Sequence, residues 1–178
     1  MDIIKGRFRI RNATSQDAKQ LKEWWNDGKV MAHAGFPNGL GISERAIVES
    51  LEKDNVFHRR LIIELDNNPI GEMSYHTPKE KTAEIGIKIC DANQQNNGYG
   101  TEYLKMLMKY IFISMEYDKV ILDTNLQNER AQYVYKRLGF RKTGIHIDSW
   151  QDQLGRLQSS VDYELTRDEF VSLHFNEN

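Results

Sequence analysis

The chain has little of several things. Its 178 residues include one cysteine and three prolines, and 24 Lys and Arg against 26 Asp and Glu leave a net charge of only −2. A lone Cys90 closes no internal disulfide and supplies no multi-cysteine zinc site. Cysteine usage of this kind points to the reducing cytoplasm, and no metal centre is expected. A phosphate-backbone binder draws on a clear excess of Lys and Arg, so nucleic acid is not the expected partner. No window approaches the roughly 18 consecutive apolar residues of a membrane span, and Met1 to Arg7 lacks the apolar segment of a signal peptide. Neither an internal repeat nor a long linker interrupts the sequence. At roughly 150 residues per domain, residues 1–178 read as one domain.

The patterning that is present alternates between periods. Phe8-Arg9-Ile10-Arg11 has period two, and Thr14-Ser15-Gln16-Asp17 then offers an N-cap with an acid three residues on. Ala18, Leu21, Trp24 and Trp25 give the following helix one apolar face. Four glycines and a proline between Gly28 and Gly41 predict an irregular loop, with a second helix from Ser43. Strands are expected at Leu61–Leu65, at Ile70–Tyr75 after a turn at Asp66-Asn67-Asn68-Pro69, and at Ala83–Ile89. Leu104, Leu107, Met108, Ile111, Phe112 and Met115 mark a core-facing helix. A strand at 119–124, a helix from Asn128 to Gly139, and a hairpin turning at 152–155 follow; Thr166-Arg167-Asp168-Glu169 resembles a capping box for a terminal helical turn. This order predicts an α/β (α+β) domain with a mixed central sheet of about seven strands flanked by about four helices.

The most informative stretch is Gln95-Asn96-Asn97-Gly98-Tyr99-Gly100-Thr101, between a strand end and that strong helix. Two glycines let the backbone turn and approach a ligand, and free N–H groups at a helix N-terminus suit a pyrophosphate. No Gly-Lys-Ser/Thr follows and no third glycine completes a dinucleotide pattern, so neither familiar phosphate loop applies. Taken alone, the stretch is equally a plain strand-to-helix turn. A second signature lies downstream: Asn128-Glu129-Arg130-Ala131, then Tyr135, then Leu138-Gly139-Phe140.

Together the two resemble the GNAT superfamily of acetyl-CoA-dependent N-acetyltransferases, in which a Gln/Arg-x-x-Gly-x-Gly/Ala loop precedes an Asn-x-x-Ala-x-x-x-Tyr-x-x-x-Gly-Phe segment. The likeness runs from Phe8 to Thr166. Phe8-Arg9-Ile10-Arg11 and Gly98-Tyr99-Gly100-Thr101-Glu102 are most similar to the branch that includes the ribosomal-protein N-terminal (RimJ/RimL-like) acetyltransferases and some small-amine acetyltransferases.

The resemblance implies acetyl-CoA as cosubstrate, no metal, and a set of roles. Tyr135 is implied as general acid toward the departing sulfur, and Glu84, fourteen residues before Gly98, as general base, with Glu72 a weaker second candidate. Ile89, Cys90 and Asp91 mark where family members open their sheet, so that a backbone N–H polarises the thioester carbonyl. Gln95, Asn96, Asn97, Gly98, Tyr99, Gly100 and Thr101 would hold the phosphates, and Asn128 and Ala131 the rest of the CoA arm. The loop departs from the family by having no Lys or Arg, which implies weak phosphate holding or help from Arg130 or Lys136. Cys90 itself reads as a small buried residue.

Acceptor contacts are expected from Trp24, Trp25, His33 and Phe36. The segment from Asp148 to Glu169, with two bases against six acids and a balance of −4, would attract a cation. Three readings follow: acetylation of a protein or peptide N-terminal α-amine, acetylation of a small amine such as a polyamine or aminoglycoside, or a CoA-binding sensor without turnover. Membranes are not expected partners; the resemblance also implies a possible homodimer.

Overall fold

The computed structural model describes residues 1–175. Eight strands form one sheet in the order β1-β2-β3-β4-β5-β6-β8-β7. They are β1 (Asp2–Lys5), β2 (Phe8–Asn12), β3 (His58–Leu65), β4 (Asn68–Lys79), β5 (Thr82–Ile89), β6 (Lys119–Asn125), β7 (Arg141–Gln151) and β8 (Leu157–Thr166). Every neighbouring pair is antiparallel except β5 and β6. Six α-helices accompany the sheet: α1 (Ala18–Asn26), α2 (Gly28–Met31), α3 (Glu44–Leu51), α4 (Tyr99–Lys109), α5 (Glu129–Arg137) and α6 (Arg167–Phe175).

The turn chemistry follows the sequence. Asp66 and Asn67 take φ of 52° and 65°, the left-handed pair that closes a two-residue hairpin between β3 and β4. At Thr14 the backbone N–H donates to the Asp17 carboxylate at 2.8 Å, and Arg11 clamps the same carboxylate at 2.7 and 2.8 Å. The Thr166 N–H and hydroxyl donate to Glu169 at 2.8 and 2.7 Å, completing the expected capping box.

Two cores sit on opposite faces of the sheet. On one face α4 buries Tyr103, Leu104, Leu107 and Met108 against Ile63, Met73 and Ile85, while Tyr135, Leu138 and Phe170 extend that core under β6 and β8. On the other face α1 and α3 bury Leu21, Trp24, Trp25 and Ile47 against Ile62 and Cys90. Each fully buried leucine or isoleucine here contributes about 1.5–3 kcal/mol of transfer free energy.

The structure refines four expectations in detail. The count is eight strands, because the short edge strand β1 carries no alternation that marks it in sequence. Gly28 to Gly41 is not wholly irregular: Asp27 caps the four-residue α2 by accepting from the Lys29 N–H at 2.7 Å. The strong apolar helix ends as α4 at Lys109 and continues as a single π-helical turn over Tyr110–Ser114, which keeps Ile111 and Phe112 fully buried. Beyond Thr166 a nine-residue α6 stands where one helical turn is expected.

Candidate active site

The site comes from a fault in the sheet. β5 and β6 pair only over Thr82–Lys119, Ala83–Val120 and Glu84–Ile121. Past that point β5 stays with β4 as far as Ile89, and β6 stays with β8 as far as Asn125. The two strands therefore splay, and a cleft of about 1060 Å³ opens between them and runs from one face of the sheet to the other.

Strand alternation decides what the opening exposes. The Cys90 N–H donates to the Ile70 carbonyl at 2.8 Å, and the Asp91 N–H to the same carbonyl at 3.0 Å, so both are spent on β4. Neighbouring backbone groups point the other way. The N–H groups of Ile87 and Ile89 thus face the splay, and the Ile89 carbonyl there accepts from the Gln95 side-chain amide at 2.9 Å. The donors expected near Ile89 and Cys90 resolve onto Ile87 and Ile89. Such an unpaired strand edge suits an extended amide-containing chain.

At the head of the cleft, Asn96 and Gly98 take φ of 65° and 77° and turn the chain into α4. Gly98 is the N-cap and no side chain caps the helix, so the N–H groups of Tyr99 and Gly100 are open to an anion, while that of Thr101 donates to the Gly98 carbonyl at 3.1 Å. Gly100 lines the cleft, where an added Cβ would only touch Ile87 at 3.9 Å. The Tyr99 ring turns away to pack edge-on against Phe8 at 5.6 Å, which leaves only its backbone for a ligand. Asp91 serves the fold, accepting from the Asn93 N–H at 2.9 Å.

α5 supplies the facing wall through Asn128, Ala131, Val134 and Tyr135, with Arg130 exposed among the lining residues. Asn128 caps the helix by accepting from the Ala131 N–H at 3.2 Å and donates to the Thr124 hydroxyl at 3.3 Å. Lys136 lies off the cleft, in a separate cavity of about 540 Å³ beside Tyr133 and Lys142. Tyr135 is 7% exposed and packs against Phe140 and Tyr163 at ring-centroid distances of 5.9 and 5.5 Å. Burial, with smaller contributions from Asp123 and Tyr163, pushes its phenol up to about 12. It stays protonated throughout the physiological range.

On the opposite face the cleft is lined by His33, His76, Glu84, Asp123 and Trp150. The Glu84 carboxylate lies 3.3 Å from His76 Nε2. Glu72, the second candidate base, does not line the cleft: it is 4% exposed and engaged by Trp25 Nε1 at 2.9 Å, Arg60 at 3.0 Å and Lys88 at 3.3 Å. Trp24 and Trp25 are 8% and 6% exposed in the second core and do not line the cleft; nor does Phe36. His33 does. Cys90 is buried as expected, its thiol pushed up to about 12 by burial and by Glu72.

The acids of the C-terminal hairpin are mostly spent on the fold. Asp152 accepts from the Arg156 guanidinium at 2.9 Å and from the Leu154 N–H at 2.9 Å. Glu164 pairs with Lys119 and Arg141, Glu169 with Arg141, and Asp162 with His146 at 2.7 Å. The acids that line the cleft are Glu84, Asp123 and Glu129, beside the cations Lys29, Lys88 and Arg130, rather than the whole segment. Burial and the Asp162 charge, across a directly paired position of β8, raise the Asp123 carboxyl above the usual carboxylate range.

Sequence reasoning missed His76 and Trp150. His76 becomes visible only through the β4–β5 register that sets it opposite Glu84. Trp150 is carried by a hairpin tip whose contact with Gly35 has no sequence signal.

A splayed mixed sheet, with an uncapped helix N-terminus at the opening and a buried tyrosine across it, defines an acyl-CoA N-acyltransferase. The family model described as "Acetyltransferase (GNAT) domain" matches residues 7–141, so the chain belongs to the GNAT acetyltransferase family, whose cosubstrate is acetyl-CoA. It is 28% identical over 148 residues to the uncharacterized N-acetyltransferase YnaD of Bacillus subtilis, covering 82% of this chain and 85% of that protein. It is 24% identical to the aminoglycoside N(6')-acetyltransferase type 1 of Klebsiella pneumoniae, covering 89% and 86%. In fold it is similar to the spermidine N-acetyltransferase of Vibrio cholerae solved with CoA and spermine, with a TM-score of 0.83, 18% identity, and coverage of 94% and 99%.

Proposed function

We propose that this acetyltransferase acetylates a primary amine of a small polycationic acceptor, of the polyamine or aminoglycoside class. The observation that carries the reading is Glu84 in the cleft wall, within 3.3 Å of His76 and on the same cavity as Asp123. A lysine-like amine of pKa about 10.4 is neutral in fewer than about one molecule in a thousand at pH 7, whereas an α-amine of pKa about 8 is already about a tenth neutral. A placed base is needed for the first and dispensable for the second. The names of two relatives, an aminoglycoside and a spermidine acetyltransferase, agree with that class.

In this reading the open N–H groups at Gly98 to Gly100, together with Arg130, hold the CoA phosphates. Each exposed anion contact at a helix N-terminus contributes about 0.3–1 kcal/mol, so Arg130 carries a share that the neutral loop lacks. Ile87 and Ile89 offer their N–H groups to the amides and thioester carbonyl of the extended arm. Gln95, Asn128 and Ala131 line that wall, and Asn96, Asn97, Tyr99 and Thr101 carry the backbone turn into α4 beside it.

Glu84 takes a proton from the acceptor ammonium, and the free amine attacks the thioester carbon. Tyr135 faces the sulfur that leaves. Full transfer from a phenol at about 12 to a thiolate of ordinary pKa about 8.5 is uphill by about 5 kcal/mol. Tyr135 therefore acts first as a hydrogen-bond donor, and the proton passes as desolvation raises the basicity of the thiolate. Turnover by this route displaces the sensor reading.

The second reading is a peptide N-terminal α-amine, as in the RimJ/RimL-like branch, favoured by the Phe8–Arg11 and Gly98–Glu102 segments. A homodimer belongs with the family resemblance, whichever acceptor is used, and is read by sedimentation. Thiol release from acetyl-CoA over polyamines, aminoglycosides and N-terminal peptides decides between the two. Polyamine or aminoglycoside turnover that falls about 10²-fold or more in Glu84→Gln is the expected result. Preferred turnover of α-amines, indifferent to Glu84→Gln, overturns it.

A further inference from the structure

Glu84 stands at the end of a row. His58, His76 and Glu84 are directly opposed residues on β3, β4 and β5, so their side chains share one face of the sheet. His76 Nε2 is 3.3 Å from Glu84 Oε2. The rings of His58 and His76 lie 6.3 Å apart between centroids, a gap that one water can bridge. Asp54, six residues before Arg60 and bonded to its N–H at 2.7 Å, stands 3.9 Å from His58 Nε2 at the solvent end. Exposure increases along the row, with side chains 38% exposed at Glu84, 45% at His76 and 55% at His58.

We propose that His76 is a positioning residue that also relays the proton, passing the one Glu84 removes from the acceptor toward His58 and bulk solvent. The inference rests on Glu84 being the base.

The proton balance requires an exit. An ammonium acceptor carries three protons on nitrogen and the amide product keeps one. Of the two released, one ends on the CoA sulfur by way of Tyr135, which must be reprotonated, and the other leaves the cleft. A carboxylate that kept it would be useless for the next turnover. His76 takes that proton at Nε2, the atom facing Glu84, and releases one from Nδ1. An imidazole suits the step because it can accept at one ring nitrogen and donate at the other. The titratable and charged groups on the His76 side of the sheet are Glu84 and Lys88 on β5, His58 and Arg60 on β3 with Asp54 beyond them, Asp123 on β6, and Lys29 and His33 from the α2 segment lining the same cleft.

The test compares Glu84→Gln, His76→Gln and His76→Ala in steady-state kinetics with a polyamine acceptor, with and without added imidazole, and with CoA affinity as the check on folding. Gln at position 76 retains a donor for Glu84 and cannot relay. The expected result is a kcat roughly tenfold lower in both His76 variants, less than the 10²–10⁴-fold of a group that itself transfers the proton in the transition state, with KM for acetyl-CoA unchanged. Added imidazole should restore kcat in His76→Ala in proportion to its free-base concentration, and the acid limb of the pH–kcat profile should move. Wild-type kcat in both His76 variants, or a loss that no imidazole concentration relieves, overturns the relay. If Glu84→Gln also keeps full kcat, it is the base assignment that fails; if Glu84→Gln is impaired while the His76 variants are not, only the relay fails.

Discussion

The six-membered ring of the Trp150 indole packs against the backbone of Gly35: a Cβ added at Gly35 would come within 2.5 Å of the indole Cζ3. Polar ties hold the same junction. The Gln153 N–H donates to the Gly35 carbonyl at 2.7 Å, the Gln153 side chain donates to the Gly39 carbonyl at 2.9 Å, and its oxygen accepts from the Asn38 N–H at 2.9 Å. The loop after α2 and the tip of the β7–β8 hairpin thus form one wall. Trp150 and His33 present that wall to the cleft on the side of Glu84.

Gly35→Ala should loosen this wall selectively. Gly35 has φ of +92°, and a side chain there both strains the backbone and displaces the indole. The expected cost is about 1–3 kcal/mol of stability. In kinetics, KM for the amine should rise severalfold while KM for acetyl-CoA stays unchanged. An equal rise in both would show that the junction supports the whole cleft rather than its acceptor end.

Glu72→Ala should damage the fold more than the chemistry. It removes the acceptor shared by Trp25, Arg60 and Lys88, with the Arg60 guanidinium also stacked 4.8 Å over the Trp25 ring. Two cations at 29% and 26% side-chain exposure lose their counter-charge. Since both keep access to water, the expected loss is about 3 kcal/mol, at the lower end for breaking a buried ion pair. Urea unfolding should show this loss, while kcat at low temperature falls far less than in Glu84→Gln. The reverse order would return Glu72 to the catalytic step.

Local patterns read correctly wherever the determinant was local. The Thr166–Glu169 box, the Asp66-Asn67 turn and the Gly98 cap need only a few adjacent residues, and each stands as its residue types require. Two motifs in the right order were enough for the superfamily, and Tyr135, Glu84, Gln95, Gly100, Asn128 and His33 do meet in one cleft. What failed depended on pairing at a distance. Trp24 and Trp25 look like ligand contacts in sequence because aromatic residues serve both cores and pockets, and the buried carboxylate of Glu72, 47 residues away, is what ties Trp25 into the core. The acids of the last hairpin look like an open negative surface until Lys119, Arg141, His146 and Arg156 are placed beside them.

Arg130→Gln should reveal how the neutral loop holds its phosphates. The stretch from Gln95 to Thr101 has no cation, and Arg130 is exposed on the facing wall. KM for acetyl-CoA should rise severalfold, and its salt dependence should flatten because a screened charge has been removed. The amine KM should hold. A CoA affinity that ignores both the substitution and the salt would leave the holding to the backbone of Gly98 to Gly100 alone.

Alkaline stability should report the two buried acids beside the cleft. Burial raises Cys90 and Tyr135 each to about 12, Cys90 from 9.0 and Tyr135 from 10.0, and both are neutral in the fold. A folded-state value above the unfolded one means that the contribution is complete below pH about 9 and is lost as the pH climbs toward 12. For Tyr135 the difference corresponds to about 3 kcal/mol. Urea midpoints should therefore fall through this window in the wild type, and Tyr135→Phe should make the fall above pH 10 shallower, the remainder belonging to Tyr75, Tyr103 and Tyr163, which burial also raises, while lowering kcat about 10²–10⁴-fold at neutral pH. The Cys90 thiol, 6% exposed, should resist an aromatic disulfide reagent at pH 8 until urea unfolds the chain. Rapid native labelling would place Cys90 in an open position, and an unchanged alkaline limb in Tyr135→Phe would mean that its phenol is hydrated in the free enzyme.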